Sequence, residues 1–137
     1  MDFRHLAIEG PPGSGTSLLS ERLSARLGAP LVRDEHENPF FEEFRAGRAG
    51  AAFQAQLFFL LARHRQQSAL RQGDLFSQAI VSDYLFDRDR IYAFLNLDDN
   101  ELFIYQRLNE LLAADVPAPH LVIYLQSPAQ VPRKRIK

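Results

Sequence analysis

The sequence predicts a parallel α/β fold on three observations: a glycine-rich turn between an apolar run and an amphipathic segment, apolar runs alternating with helical-period segments, and a late, nearly continuous apolar run. Leu6 to Glu9 reads as a short buried strand and Thr16 to Leu27 as an amphipathic helix that begins inside the turn. Gly28-Ala29-Pro30 closes that helix. Leu31-Val32 reads as a second strand, followed by the acidic run Asp34, Glu35, His36 and Glu37. Asn38 as cap and Pro39 at the first helical position predict a short helix through Phe44. After a loop at Gly47 and Gly50, Ala51 to Gln72 repeats Phe53, Leu57, Leu60, Leu61 and His64 at helical spacing and stops before Gly73-Asp74, as a central buried helix does. Ala79 to Val81 reads as a third strand ending in Ser82-Asp83. Arg88 to Leu95 and Asn100 to Ala114 read as helices, the second with Asp98 and Asp99 as its acidic cap. Beyond Pro117-Ala118-Pro119, Leu121 to Leu125 is expected to be a parallel strand covered on both faces.

Composition narrows the function. At 137 residues the chain reads as a single domain over 1–137, with enough length to bury a core. A net charge of −1, with basic residues spread along the chain except at its end, gives no electrostatic case for nucleic acid or a membrane, so a small-molecule partner is expected. The absence of cysteine excludes a disulfide framework, a thiolate metal site and a cysteine nucleophile. An apolar strand starting close to Met1, and no apolar run of membrane-spanning length, predict a soluble, cytoplasmic protein.

The turn carries the chemistry. Gly10, Pro11, Pro12, Gly13, Ser14, Gly15, Thr16 and Ser17 match the phosphate-loop pattern G-x-x-x-x-G-K-[ST] except that Thr16 stands in place of the lysine. Such a loop turns backbone N–H groups around phosphate oxygens and adds the positive end of a helix. Ser17 keeps the hydroxyl that ligates Mg²⁺, so ATP with Mg²⁺ is the expected ligand. What is missing is the charge that reaches the outer phosphates. The only two lysines are Lys134 and Lys137, which leaves Arg4 and Arg33 as candidate replacements.

Ligands of open α/β sheets gather beyond the carboxyl ends of the strands, so the loop after Glu9, the acids after Val32 and Asp83 after Val81 are expected to share a cleft. A carboxylate there can take a proton from an attacking hydroxyl. A lone acid after a strand is more often a helix cap or solvated turn, whereas three on consecutive strands point to a shared cleft. Gln56 and Arg63, seven residues apart, fall on nearly the same helix face. Gln56 could pair with a nucleobase edge and Arg63 orient a carboxylate, although a plain polar face is as common. Phe53, Phe58 and Phe59 read as core residues, and no metal-ligand spacing joins His5, His36, His64 and His120.

With these pieces in order the chain resembles the deoxynucleoside kinases, most closely the bacterial deoxyadenosine/deoxyguanosine kinase branch. The likeness runs from Leu6 to about Pro128 through residues 7–11, 37–40, 53–61, 82–87 and 121–126. It implies a three-layer fold with a parallel five-stranded core, a homodimer, and transfer of the ATP γ-phosphoryl to the 5′-hydroxyl of a purine deoxynucleoside with Mg²⁺. The family's catalytic base falls on Arg33 in an ungapped comparison. A one-residue gap brings Asp34 into place, with Glu35 as the second choice. The base-pairing glutamine corresponds to Gln56, whose spacing to Arg63 is kept, with Gln54 as the competitor. The acid after the third strand falls on Asp83, and Asp89 matches an aspartate that helps recognise the base. Two departures stand out: Thr16 for lysine, and a chain that stops at Arg133-Lys134-Arg135-Ile136-Lys137, where the resemblance would continue into an arginine-rich lid and a last strand. Without those cations an impaired kinase is expected. A non-catalytic nucleoside- or nucleotide-binding relative, a gene fragment, and a kinase for another small molecule are the rivals.

Overall fold

The computed structural model describes residues 4–11, 13–70 and 79–126, and the chain forms two compact units. Pro12, the end of the long helix near Gln72, Gly73-Asp74, and the C-terminal residues from Arg133 to Lys137 lie outside the described residues.

The first unit, from Met1–Asp34, Gln72–Leu85 and Ala118–Lys137, contains a sheet of β1 (His5–Glu9), β2 (Leu31–Val32), β3 (Ile80–Ser82) and β4 (Leu121–Tyr124), with α1 (Thr16–Leu27) packed on it. The strands are all parallel in the order β2-β3-β1-β4, as expected from strands separated by helical segments. Register pairs Ala7 with both Ser82 and Val122, so the carboxyl ends of β1, β2 and β3 lie side by side. Ile8, Ala29 and Val81 form the buried core, joined by Leu19 and Leu23 from α1 and Ile123 from β4.

One expectation fails here. β4 is an edge strand, paired with β1 alone among the described strands, and its Leu121, Val122 and Tyr124 are 40, 44 and 58% exposed rather than covered on both faces. A continuous apolar run records the fit of branched and aromatic side chains to a pleated strand as well as burial, and here the first of these accounts for it.

The second unit, from Glu35–Arg71 and Phe86–Pro117, holds α2 (Phe41–Arg45), α3 (Ala51–Ser68), α4 (Arg88–Asn96) and α5 (Asp99–Ala113). α3 packs against the other three helices, which bears out its central position. The core is Leu60, Phe86, Ala93, Leu97 and Tyr105. α2 starts at Phe41, later than expected from Asn38 as cap. The Asn38 Oδ1 accepts from the Phe40 N–H at 2.9 Å and its carbonyl from Phe41 at 3.2 Å, so Asn38 caps a turn before the helix. Its Nδ2 also donates to the Ala55 carbonyl at 2.8 Å and ties that turn to α3. α5 opens on a capping box in which Asp98 accepts from the Glu101 N–H at 2.8 Å and Glu101 from the Asp98 N–H at 3.1 Å.

The outer faces of α4 and α5 stay apolar. Ile91, Phe94, Leu95, Phe103, Ile104 and Leu111 are all exposed, although helical spacing puts polar residues on such faces in most surface helices. No described helix is long and apolar enough to cross a membrane.

Candidate functional site

In the first unit the site begins with a turn whose shape requires glycine. Gly15 sits at φ +97° as the cap of α1, in the left-handed region that side chains rarely adopt. Gly10 is needed for space: a Cβ there would stand 2.6 Å from Ser14 Oγ and 3.0 Å from the Leu125 carbonyl. Ser14 N–H closes the turn on the Pro11 carbonyl at 3.1 Å. Among the described residues no side chain caps the N-terminus of α1, and uncapped first-turn amides are groups that an anion can satisfy. These features fit a phosphate group. Thr16 opens the helix with a half-buried, uncharged side chain, and Ser17 follows it exposed to solvent.

Glu9, at the end of β1, braces this turn. One carboxylate oxygen accepts from the Gly10 N–H at 2.9 Å and the other from the Leu85 N–H at 3.0 Å, linking the loop to the chain after β3. From the sequence Glu9 reads only as a strand end. Its place before the first glycine was the available signal.

The carboxyl ends of β2 and β3 are zipped together in the same way. Asp83 N–H donates to the Val32 carbonyl at 3.0 Å, and Asp83 Oδ1 accepts from the Asp34 N–H at 2.8 Å. Asp83 is buried and Asp34 half-buried, so the third strand's acid fixes the backbone of the acid after the second. Glu35, the next residue, is exposed. Arg33, a candidate for the missing cation, meets Glu21 of α1 at 3.1 Å. Arg4 lies at the opposite, amino end of β1, where its N–H donates to His120 Nδ1 at 3.2 Å. No described group of three or more His, Asp or Glu side chains is arranged to hold a metal.

The second unit gathers a cluster of buried polar side chains. The seven-residue spacing holds: Gln56 and Arg63 share a face of α3, both nearly fully buried, and both meet Asp89 at the start of α4. Arg63 Nη1 donates to Asp89 Oδ1, Tyr105 Oη donates to Asp89 Oδ2, and Gln56 Nε2 donates to the Asp89 main-chain carbonyl at 3.3 Å. Behind them Asn109 Nδ2 reaches Tyr105 Oη at 3.4 Å. Gln54, the competitor for Gln56, is exposed on the far side of α3.

The Arg63 guanidinium is also stacked, 5.1 Å from the Phe59 ring centre and 5.7 Å from that of Tyr92. Phe59 therefore supports a cation, whereas Phe53 packs on the core as expected. His64 faces Asp115 at 3.6 Å.

Burial pushes the Asp89 carboxyl up from its ordinary range, opposed by the Tyr105 hydroxyl, the Arg63 guanidinium and, least, the Gln56 amide. Burial and the neighbouring Asp89 push the Tyr105 phenol well above the ordinary tyrosine range. Tyr105 is thereby kept as an O–H donor. Tyr105 and Asn109 are absent from the sequence reading, because a tyrosine at core spacing on an amphipathic helix reads as packing. An asparagine four residues later on the same buried stripe was the signal.

Comparison with known proteins supplies the lineage of these features. Residues 6–137 match the family model described as deoxynucleoside kinase. Among curated proteins, deoxyguanosine kinase from Bacillus subtilis (strain 168) is 30% identical over 128 residues, 89% of this chain; the chain spans 60% of that relative's length. Among solved structures, deoxyadenosine kinase from M. mycoides with the products dCMP and a flexible dCDP aligns with a TM-score of 0.77 at 27% identity, over 96% of this chain and 69% of the other. The same enzyme with bound dATP aligns with a TM-score of 0.76 at 27% identity, again over 96% and 69%.

Proposed function

We propose, since the chain belongs to the deoxynucleoside kinase family, that it binds ATP and a purine deoxynucleoside and transfers the γ-phosphoryl to the 5′-hydroxyl, with activity well below that of a kinase whose phosphate loop carries the lysine. The observation that carries the base half of this reading is the meeting of Gln56, Arg63 and Asp89 in one buried cluster. The glutamine amide offers both a donor and an acceptor to a nucleobase edge, and the ion pair fixes its surroundings.

The turn from Gly10 to Gly15, with the amides of Thr16 and Ser17, supports binding of the donor's phosphates, and Pro12 belongs to the same stretch of sequence. The Ser17 hydroxyl is the group that would ligate Mg²⁺. Bound there, the metal would neutralise charge on the outer phosphates. Asp34 is the preferred base, because it is half-buried and backbone-fixed by Asp83, whereas Glu35 is exposed. In the reaction the 5′-oxygen bonds to the γ-phosphorus, its proton passes to the Asp34 carboxylate, and the bond to the β,γ-bridging oxygen breaks.

Phosphoryl transfer relies almost entirely on positioning and electrostatic stabilisation, so a neutral Thr16 removes a large share of the catalytic effect. That residue favours a second reading, a relative that binds nucleoside without turnover. The exposed apolar faces of α4 and α5 support a homodimer, and we place the protein in the cytoplasm with no nucleic-acid or membrane partner.

Calorimetric titration of the chain with deoxyadenosine, deoxyguanosine and MgATP, beside a radiolabelled phosphate-transfer assay, tests the proposal. Transfer to a 5′-hydroxyl supports the kinase. Nucleoside binding without transfer supports the second reading, and a folded chain that binds neither ligand sinks both.

A further inference from the structure

The loop of residues 10–17 contains no lysine or arginine, so a cation offered to the donor's outer phosphates has to come from another part of the chain. Arg33 is placed to bring it. Leu31 packs on the same core as Leu19 and Leu23 of α1, and Arg33, two residues further along an extended chain, projects to that face and meets Glu21 of α1 at 3.1 Å. The main chain on either side of Arg33 is pinned, since the Val32 carbonyl accepts from the Asp83 N–H at 3.0 Å and the Asp34 N–H donates to Asp83 Oδ1 at 2.8 Å. The guanidinium therefore moves by rotation of its own side chain.

Glu21 marks the direction of the phosphates. It follows Ser17 by four residues, which puts both on one face of α1, and helical side chains lean toward the N-terminus, here toward the uncapped first turn. Ser17 and Glu21 are exposed and the Arg33 side chain is 37% exposed, so the three line a solvent-facing strip that ends at the first amides of the helix. An ion pair this exposed is weak, because water screens both charges, whereas a guanidinium and a phosphate make a two-pronged, charge-assisted contact. A triphosphate at the turn also repels the Glu21 carboxylate while it attracts Arg33, which favours the exchange from both sides.

We infer that Arg33 is a phosphate-binding residue, held by Glu21 until nucleotide binds, whose guanidinium then turns to the donor's outer phosphates and supplies part of the charge that Thr16 does not. Glu21 competes with the phosphates for that cation and so limits how tightly the donor is held. A plain surface ion pair would have neither property.

This inference rests on the reading of the turn as the ATP site, and the experiment separates the two. MgATP and deoxyadenosine are titrated calorimetrically into the parent chain, Arg33→Gln, Glu21→Gln and the double variant, with a thermal melt of each. Arg33→Gln should weaken MgATP roughly tenfold and leave deoxyadenosine unchanged. Glu21→Gln should instead tighten MgATP by roughly two- to fivefold, the scale of an exposed pair, and most of that gain should vanish in the Arg33→Gln background, where the carboxylate has no guanidinium to withhold. If Arg33→Gln loses its cooperative melt, Arg33→Lys, which keeps the charge without the fork, is read in its place and should weaken MgATP by a smaller factor in the same direction. MgATP binding that either Arg33 variant leaves unchanged, or a Glu21→Gln gain undiminished in the double variant, overturns the inference and keeps the ATP reading. No binding of MgATP by the parent chain overturns both.

Discussion

In the sheet unit the groups proposed to face a ligand are main-chain amides held by glycine geometry, whereas in the helical unit they are side chains held by one another. The loop from Gly10 to Gly15 and the uncapped start of α1 form a cradle without a lysine. The cluster of Gln56, Arg63, Asp89, Tyr105 and Asn109 holds its charge in an internal pair. A backbone cradle can therefore keep its shape after losing its charge, because the shape depends on glycines and not on the lysine. A side-chain cluster has no such independence, since removing one member leaves the others buried and unpaired.

The strongest way to break that comparison is Arg63→Ala. The carboxylate of Asp89 would lose its cation at a fully buried position, and removal of one partner from a buried pair costs about 3–5 kcal/mol. Chemical denaturation should show that loss, with nucleoside binding abolished. A cost below about 1 kcal/mol, the range of exposed pairs, would mean that the cluster is far looser than its geometry indicates.

The matching test of the cradle is Gly10→Ala. The added Cβ meets Ser14 Oγ at 2.6 Å and, more seriously, the Leu125 carbonyl at 3.0 Å, where backbone rather than a flexible side chain must yield. Overpacking of this kind costs about 1–3 kcal/mol, and the displaced turn should lose MgATP binding. A melt and a titration unchanged from the parent would show that the loop has slack.

How much of this was legible in the sequence follows from where the determinants lie. The glycine turn is local: glycines, a preceding strand and a following helix fall within residues 6–27, and all three could be read directly. The meeting of Gln56 with Arg63 could be read from helical spacing, because one helix carries both. Tyr105 could not be read this way: its partner lies sixteen residues away on another helix, and at core spacing a phenol is indistinguishable from packing until its hydroxyl partner is seen. The same holds for Asp83, whose bond to the Asp34 N–H depends on β2 and β3 being neighbours in the sheet. β4 was misjudged because apolar composition specifies a strand without specifying its place in the sheet order.

If the cradle kept its shape when it lost its charge, restoring the charge should restore affinity with no other change. Thr16→Lys puts an ammonium at the start of α1, within the loop that the glycines already hold open. A charge-assisted contact to phosphate contributes about 1.5–3 kcal/mol, so MgATP affinity should rise at least roughly tenfold by calorimetry. No change would mean that the turn does not face the outer phosphates, and the donor side of the proposed function would fall.

The smallest expected effect sharpens the helical side of the comparison. Tyr105 has its folded phenol pushed up by burial and by Asp89, so the sign is that of an acid whose folded pKa exceeds its unfolded one. Its contribution to stability is fully present below the unfolded value of about 10 and is lost as pH climbs above it, because the unfolded tyrosine releases its proton while the buried one does not. Between pH 7 and 9 the parent chain and Tyr105→Phe should therefore differ by a constant amount in denaturant melts. Above about pH 10 the gap should narrow by up to about 1.4 kcal/mol per pH unit, the slope of one proton. A gap that stayed constant through pH 11 would mean that the phenol titrates normally in the folded chain. Tyr105 would then be wet, Asp89 would have lost its second anchor, and the contrast between an open backbone cradle and a closed side-chain cluster would no longer hold.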